Sequence, residues 1–300
     1  MDTSNVKKYI PFIVMPAFLV IVELGSLALS LPVQVAHLAA FQDPESVANP
    51  FIFMAILLGF TAFLLVLIKY GRKNLIAWVI GISIFLTFAY IFWALVDNVL
   101  GNDTVAVAVM LILSVLATLL LYKYPEWYVI DLLGLLLAAG VASIFGVSLG
   151  TVPVILLLVI LAVYDAISVY KTKHMITLAE GVIDLKTPIL FVIPKKRDYS
   201  FIREGIGKLA DGGERAAFII GMGDMIMPSM LVVSANVFCG GVKYFGLFNL
   251  PALGAIIGSV AGLAVLLHFV MSGRPQAGLP PLNGGTILGF IIGWALIGFV

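Results

Sequence analysis

Two acidic residues stand in stretches that are otherwise apolar: Asp165 in ILLLVILAVYDAISVY and Asp224 in AAFIIGMGDMIMPSMLVV. An ionisable side chain in such surroundings costs several kcal/mol unless it is paired or reached by water, so both are candidates for chemistry. Their depths match. Asp165 lies six residues before Lys171 and Asp224 nine residues after Arg215. At 1.5 Å per residue these are about 9 and 14 Å below one common face, a difference that helix tilt absorbs. Two carboxylates held at one level cannot both ionise easily, so the pair keeps one proton and titrates as a unit. Such a pair can hold a water: the ionised member takes its proton while the protonated member polarises a carbonyl. That is peptide hydrolysis without metal or cofactor. The same pair could serve as a proton or cation relay in a secondary transporter or channel, and the two carboxylates alone do not separate these uses.

The remaining candidates are weaker. Glu23 lies deep in an apolar run, where it can bond a neighbouring helix or face a cavity. Asp131 sits a turn inside the start of its run, an interfacial position that suits a helix dipole. Asp97 falls at the end of a run, and His37, His174 and His268 fall in loops or near helix ends. The single cysteine, Cys239, has no internal partner, and no CxxC or His/Cys cluster suggests a metal site.

The elements that must position the pair follow from composition. The 300 residues are 62% hydrophobic and 11% charged, with mean hydropathy +1.16. Soluble domains carry about a quarter charged residues, so the chain reads as an all-α polytopic membrane protein in the lipid bilayer of the cell. A net charge of +1 gives no basic field for nucleic acid. Nine stretches are long enough to span: 9–31, 50–70, 75–98, 104–122, 127–148, 151–170, 214–238, 250–271 and 283–299. With the N-terminus and the even-numbered loops on one side, that side holds 16 Lys and Arg and the other only Lys243. The N-terminus is therefore expected in the cytoplasm and the C-terminus outside. The chain divides into 1–170 (six helices, Asp165 in the sixth), a basic cytoplasmic loop 171–213, and 214–300 (three helices, Asp224 in the seventh). Gly254, Gly258 and Gly262, and Gly285, Gly289 and Gly293, each repeat every four residues, a stripe along which another helix can come close.

Motifs around the acids narrow the chemistry. Tyr164 and Asp165 read YD. Gly221-Met222-Gly223-Asp224 reads GxGD. Leu279-Pro280-Pro281-Leu282 opens the ninth span. Their order and spacing resemble the presenilin and signal peptide peptidase family of intramembrane aspartyl proteases, which has nine spans with YD in the sixth, GxGD in the seventh and PAL before the ninth. The resemblance covers the whole architecture. It implies an endopeptidase that cuts transmembrane segments of other membrane proteins, with Asp165 and Asp224 as the catalytic pair. Tyr164, Gly221 and Gly223 match the motif positions beside them, and Pro280 and Leu282 match the first and third positions of PAL. Pro281 stands where the family has alanine and removes a backbone donor there. The orientation resembles presenilin, whereas MIMPSM (225–230) and TPILFVIP (187–194) are similar to the peptidase branch. The combination resembles a prokaryotic, archaeal homologue of presenilin. A prepilin-peptidase-like GxGD protease fits less well, because it lacks this set of spans and motifs. The transporter alternative would be expected to show internal repeats, and none is evident.

Three further expectations concern substrate handling. A helical substrate must unwind before its carbonyls can be attacked. Pro188 and Pro194 fence a β-prone run in which Ile189, Leu190 and Phe191 are expected to pair with the unwound peptide as an added strand. Gly221 and Gly223 leave clearance beside the acid for substrate backbone or a facing helix. Pro280 and Pro281 are expected to interrupt the helix and form a loop before the ninth span, beside the pair. Natural substrate, oligomeric state and partner subunits are not written in the sequence.

Overall fold

Backbone polar groups inside a bilayer must be satisfied within the segment that carries them, so apolar runs of this length fold as helices. The computed structural model describes residues 3–101, 103–172, 190–196, 198–205, 217–270 and 276–299. The helices are α1 (Thr3–Val35), α2 (Asn49–Lys69), α3 (Lys73–Leu100), α4 (Asp103–Lys123), α5 (Trp127–Ser148), α6 (Thr151–Ile167), α7 (Met222–Phe238), α8 (Leu250–Val270) and α9 (Leu279–Ala295). Among the described residues eight helices are long and apolar enough to cross a membrane, and α7, at 17 residues, is a shorter apolar helix.

α5 and α7 form the buried centre. α1 packs along α5, α7 and α8; α6 packs against α7, α9 and α2; α3 and α4 pair at the periphery. Ile56, Trp78, Ile112 and Leu116 on α2–α4 are exposed, as lipid-facing residues would be. Glu23 is wholly buried and accepts the Ser259 hydroxyl of α8 at 2.6 Å, so this acid ties α1 to α8 away from the pair.

The two glycine stripes meet each other. A Cβ on Gly254 would strike the Gly289 carbonyl, one on Gly258 the Gly285 carbonyl, and one on Gly262 the Pro281 carbonyl. α8 and α9 therefore approach backbone to backbone, as small-residue interfaces allow. The last contact in the series falls on the LPPL segment itself, so the stripe also fixes where α9 begins.

Several boundaries differ from the sequence expectation. The seventh run does not form one helix over 214–238. Ala217–Gly221 is a strand, β2, and the helix starts at Met222. β2 pairs antiparallel with β1, Leu190–Pro194, from Leu190↔Gly221 to Pro194↔Ala217. Isoleucine and phenylalanine suit a strand as well as a membrane helix, and Gly221 and Gly223 weaken helix extension backwards. LPPL is not a loop before a helix over 283–299; it is the first turn of α9, with a proline in its opening positions. First-turn N–H groups have no helical acceptor, so proline costs nothing there. The same fact resolves Pro281: the donor it lacks is one the helix does not use. The sixth run ends in a π-helical turn, Ser168–Thr172.

The small sheet is built into the bundle. Phe191, Val192 and Ile193 are buried, and Phe191 meets Phe18 of α1 edge-on at 5.5 Å. Asp131, expected to serve the dipole of its own helix, instead accepts the Val192 N–H at 2.8 Å. Beyond β1 a helical turn, Phe201–Glu204, is anchored by Glu126, which accepts the Ser200 hydroxyl at 2.6 Å and the Phe201 N–H at 3.0 Å. Burial, with Glu204, Glu126 and Asp131 nearby, pushes the Tyr199 phenol up to about 12. It therefore stays protonated at neutral pH and donates to the Gly205 carbonyl at 2.8 Å.

Two stability effects are expected. Gly258→Leu forces a side chain into backbone that cannot yield; at an overpacking cost of about 3 kcal/mol it should lower the melting temperature in detergent by about 5–10 °C. Gly59→Ala, where a Cβ meets nothing, should not lower it. Asp131→Ala leaves the Val192 N–H buried without its acceptor and should cost about 1–3 kcal/mol. Asp131→Asn, which keeps a carbonyl oxygen, should recover most of that loss in the same melting assay.

Candidate active site

Asp165 and Asp224 come from α6 and α7 to one short segment, Gly278-Leu279. Asp165 is 9% exposed, and one of its oxygens accepts the Leu279 N–H at 3.0 Å. Leu279 is the first residue of α9, so this N–H is one of the donors a helix start leaves without an internal acceptor. Asp165 thereby caps α9 from the side. The residue before it, Gly278, faces the other acid. A Cβ there would stand 3.2–3.3 Å from the Oδ2, Cγ and Oδ1 atoms of Asp224. One dipeptide, Gly278-Leu279, thus touches both carboxyl groups. This lies outside the motif as read from the sequence; its only signal is a small residue immediately ahead of LPPL.

Asp224 stands in the first turn of α7, where β2 ends. Its carboxyl lies back over Gly221, whose Cβ would come within 3.4 Å of Oδ2. Gly223 is exposed, and a Cβ on it would meet nothing within 4 Å. Among the described residues the clearance at Gly223 is therefore not taken up by a packed helix; open space lies next to the acid. Pro228 follows Asp224 by four residues inside α7. Proline has no N–H, so it cannot give the Asp224 carbonyl its helical hydrogen bond. Tyr164 is half-buried, and its carbonyl accepts the Ser168 hydroxyl at 2.7 Å. Leu279, Pro280 and Pro281 are half-buried and Leu282 is buried in the core. Asn283, one turn into α9 and wholly buried, donates to the Leu158 carbonyl of α6 at 2.9 Å, a second tie between these helices that the sequence did not signal.

Leu190 and Phe191 are in β1, and Ile189 lies outside the described residues. With the Val192 N–H turned to Asp131, Val192↔Ile219 is a non-hydrogen-bonded pair of the antiparallel ladder. One edge of β1 is taken by β2 and the other meets Asp131. By the same alternation, the N–H and C=O of Ile219 and the N–H of Gly221 point to the outer edge of β2, which ends three residues before Asp224. Among the described residues, no three His, Cys, Asp or Glu side chains come together as a metal site would need.

Comparison with known proteins places the chain as a whole. The family model described as "Signal-peptide peptidase, presenilin aspartyl protease" matches residues 16–299. A solved structure of a presenilin family intramembrane aspartate protease in space group C222 is 49% identical, with TM-score 0.72, covering 96% of this chain and 100% of that one. A second, in space group P2, is 51% identical, with TM-score 0.71, covering 96% and 98%. A search of curated proteins gave no match.

Gly278 offers a direct check on the geometry. Gly278→Ala places a methyl against the Asp224 carboxyl, and a displacement of the acid by a few tenths of an ångström should cut turnover at least about 10-fold. The melting temperature should stay near wild type, because the residue is a helix cap rather than a core contact. Turnover of a single-span substrate and a melting curve on the same preparation check both halves.

Proposed function

This chain belongs to the signal-peptide peptidase and presenilin family of aspartyl proteases and hydrolyses peptide bonds within membranes, and we propose that Asp165 and Asp224 are its catalytic pair. The observation that carries this is the Gly278-Leu279 dipeptide in contact with both carboxyl groups. It supports a pair held at a fixed separation, as a shared proton and one activated water require. The water is deprotonated by the ionised carboxylate and attacks the scissile carbonyl, whose oxygen receives a hydrogen bond from the protonated partner. Collapse of the tetrahedral intermediate breaks the C–N bond and hands a proton to the leaving amine. No observation favours the ion-relay reading of the same acids.

The substrates are transmembrane segments of other proteins, presented in the bilayer in which this multi-pass chain resides. The 16-to-1 placement of Lys and Arg supports the expected orientation over nine spans, with the N-terminus and the basic loop 171–213, between the helix groups 1–170 and 214–300, on the cytoplasmic side of the cell membrane and the C-terminus outside. Substrate is proposed to unwind and add as a strand to the outer edge of β2, at Ile219 and Gly221, rather than to β1. Backbone pairing there would deliver a carbonyl to the acid that follows at Asp224, into the open space at Gly223.

Asp165→Ala and Asp224→Ala should each reduce cleavage of a single-span substrate in liposomes by at least about 10³-fold, the upper part of the range for positioned acid–base groups. Retained cleavage by either would remove that residue from the pair. Ile219→Pro deletes an N–H that points away from β1, so the sheet should persist. Its kcat/KM should fall about 10-fold or more with the melting temperature held, as loss of one backbone contact on a docking edge requires. Wild-type cleavage by Ile219→Pro would place the substrate elsewhere.

A further inference from the structure

The segment ahead of α9 is held by a residue outside the motifs. The Tyr170 hydroxyl donates to Gln276 Oε1 at 2.9 Å and accepts the Ala277 N–H at 3.3 Å. The next two residues are Gly278, against Asp224, and Leu279, on Asp165. A single phenol therefore grips the two residues immediately before the two that touch the acids. Ala277 is itself buried at 3% exposure, so the strap it belongs to is seated rather than loose.

The helix geometry explains how Tyr170 reaches it. An α-helix turns about 100° per residue, so five residues beyond Asp165 the side chain would point about 140° away from the acid's face. Ser168–Thr172 is π-helical. The wider turn advances fewer degrees per residue than an α-helix, and Tyr170 lies inside it, two residues past its start. Its hydroxyl then meets the strap that crosses Asp165. α6 and the π-helical turn that ends it thus place an acid and a phenol on one segment.

We propose that Tyr170 is a positioning residue for hydrolysis: its hydroxyl latches Gln276 and Ala277 so that Gly278 and Leu279 hold the two carboxyl groups at their working separation. The latch acts through the strap and does not touch the reacting atoms. It rests on the reading of Asp165 and Asp224 as the catalytic pair. Because the strap sets geometry at the acids, its loss acts on turnover rather than on substrate capture. Tyr170 is 58% exposed, so water competes for the link and the effect is graded, not all-or-none.

The test uses purified full-length protein in liposomes with a single-span substrate, comparing wild type, Tyr170→Phe, Gln276→Ala and Asp165→Ala. Tyr170→Phe keeps the ring and removes both hydrogen bonds. Its kcat should fall about 3- to 10-fold, the range that modest neutral hydrogen bonds cover, with KM within about 2-fold of wild type. Affinity for a hydroxyl-containing transition-state isostere should fall by the same factor as kcat, while affinity for an uncleavable substrate helix and the melting temperature stay unchanged. Gln276→Ala, which removes one of the two partners, should shift kcat in the same direction by less. Wild-type kcat in both variants, a change confined to KM, or a loss of activity that tracks a loss of melting temperature would each overturn the latch. Cleavage by Asp165→Ala would instead overturn the catalytic pair, so the two failures are distinguishable.

Discussion

The hydrogen bond from the Leu279 N–H to Asp165 is the contact on which the arrangement turns. A helix start carries unsatisfied donors and a partial positive charge. In lipid those donors need an acceptor from the protein, and here an acid supplies it. The requirement works in both directions: α9 needs Asp165 to begin where it does, and Asp165 needs a donor to be tolerated at its depth. Pro280 and Pro281 sharpen the arrangement. By withdrawing their own N–H groups from the first turn they leave Gly278 and Leu279 as the donors that must be placed.

Much of the rest of the bundle sets the height and angle of that helix start. The glycines of α8 and α9 allow the two backbones to touch, and their last contact, Gly262 on Pro281, lies inside the Leu279–Leu282 turn. Asn283 bonds the Leu158 carbonyl two helical turns from Asp165 along α6, fixing α9 against that helix. The Glu23–Ser259 bond then ties α8 to α1. A glycine-lined packing interface and an acid of the proposed pair are thus coupled through one rigid helix, which transmits small displacements because close-packed interiors compress little.

The acids and the apolar runs were legible in the sequence because each is a local property. A charge in a lipid-length run stands out by its cost, and a four-residue glycine period is visible without knowing what it faces. What was not legible depends on contacts between distant residues. AAFII fits a helix or a strand equally, and only pairing with LFVIP decides for the strand. Asp131 looked like an interfacial acid because the Val192 N–H that it accepts lies 61 positions away. LPPL read as a loop because two prolines break a helix anywhere except in its first turn, and its being the first turn depends on Asp165. Gly278 and Tyr170 belong to no motif, since their roles arise from a segment folding back across α6.

The strand at the start of α7 also gives the GMGD stretch its form. If the seventh run were helical throughout, Asp224 would sit mid-helix with its backbone groups occupied on both sides. Instead the chain changes from extended to helical at Gly221–Met222. The residues before the acid keep backbone groups on an edge that no described strand covers, and those after it are buried in the core. Pro228 extends this asymmetry by withholding the donor that the Asp224 carbonyl would use. A membrane-embedded protease must receive an extended peptide while its own backbone stays satisfied in lipid. A strand ending at an acid, with a helix beginning under it, meets both demands at one point in the chain.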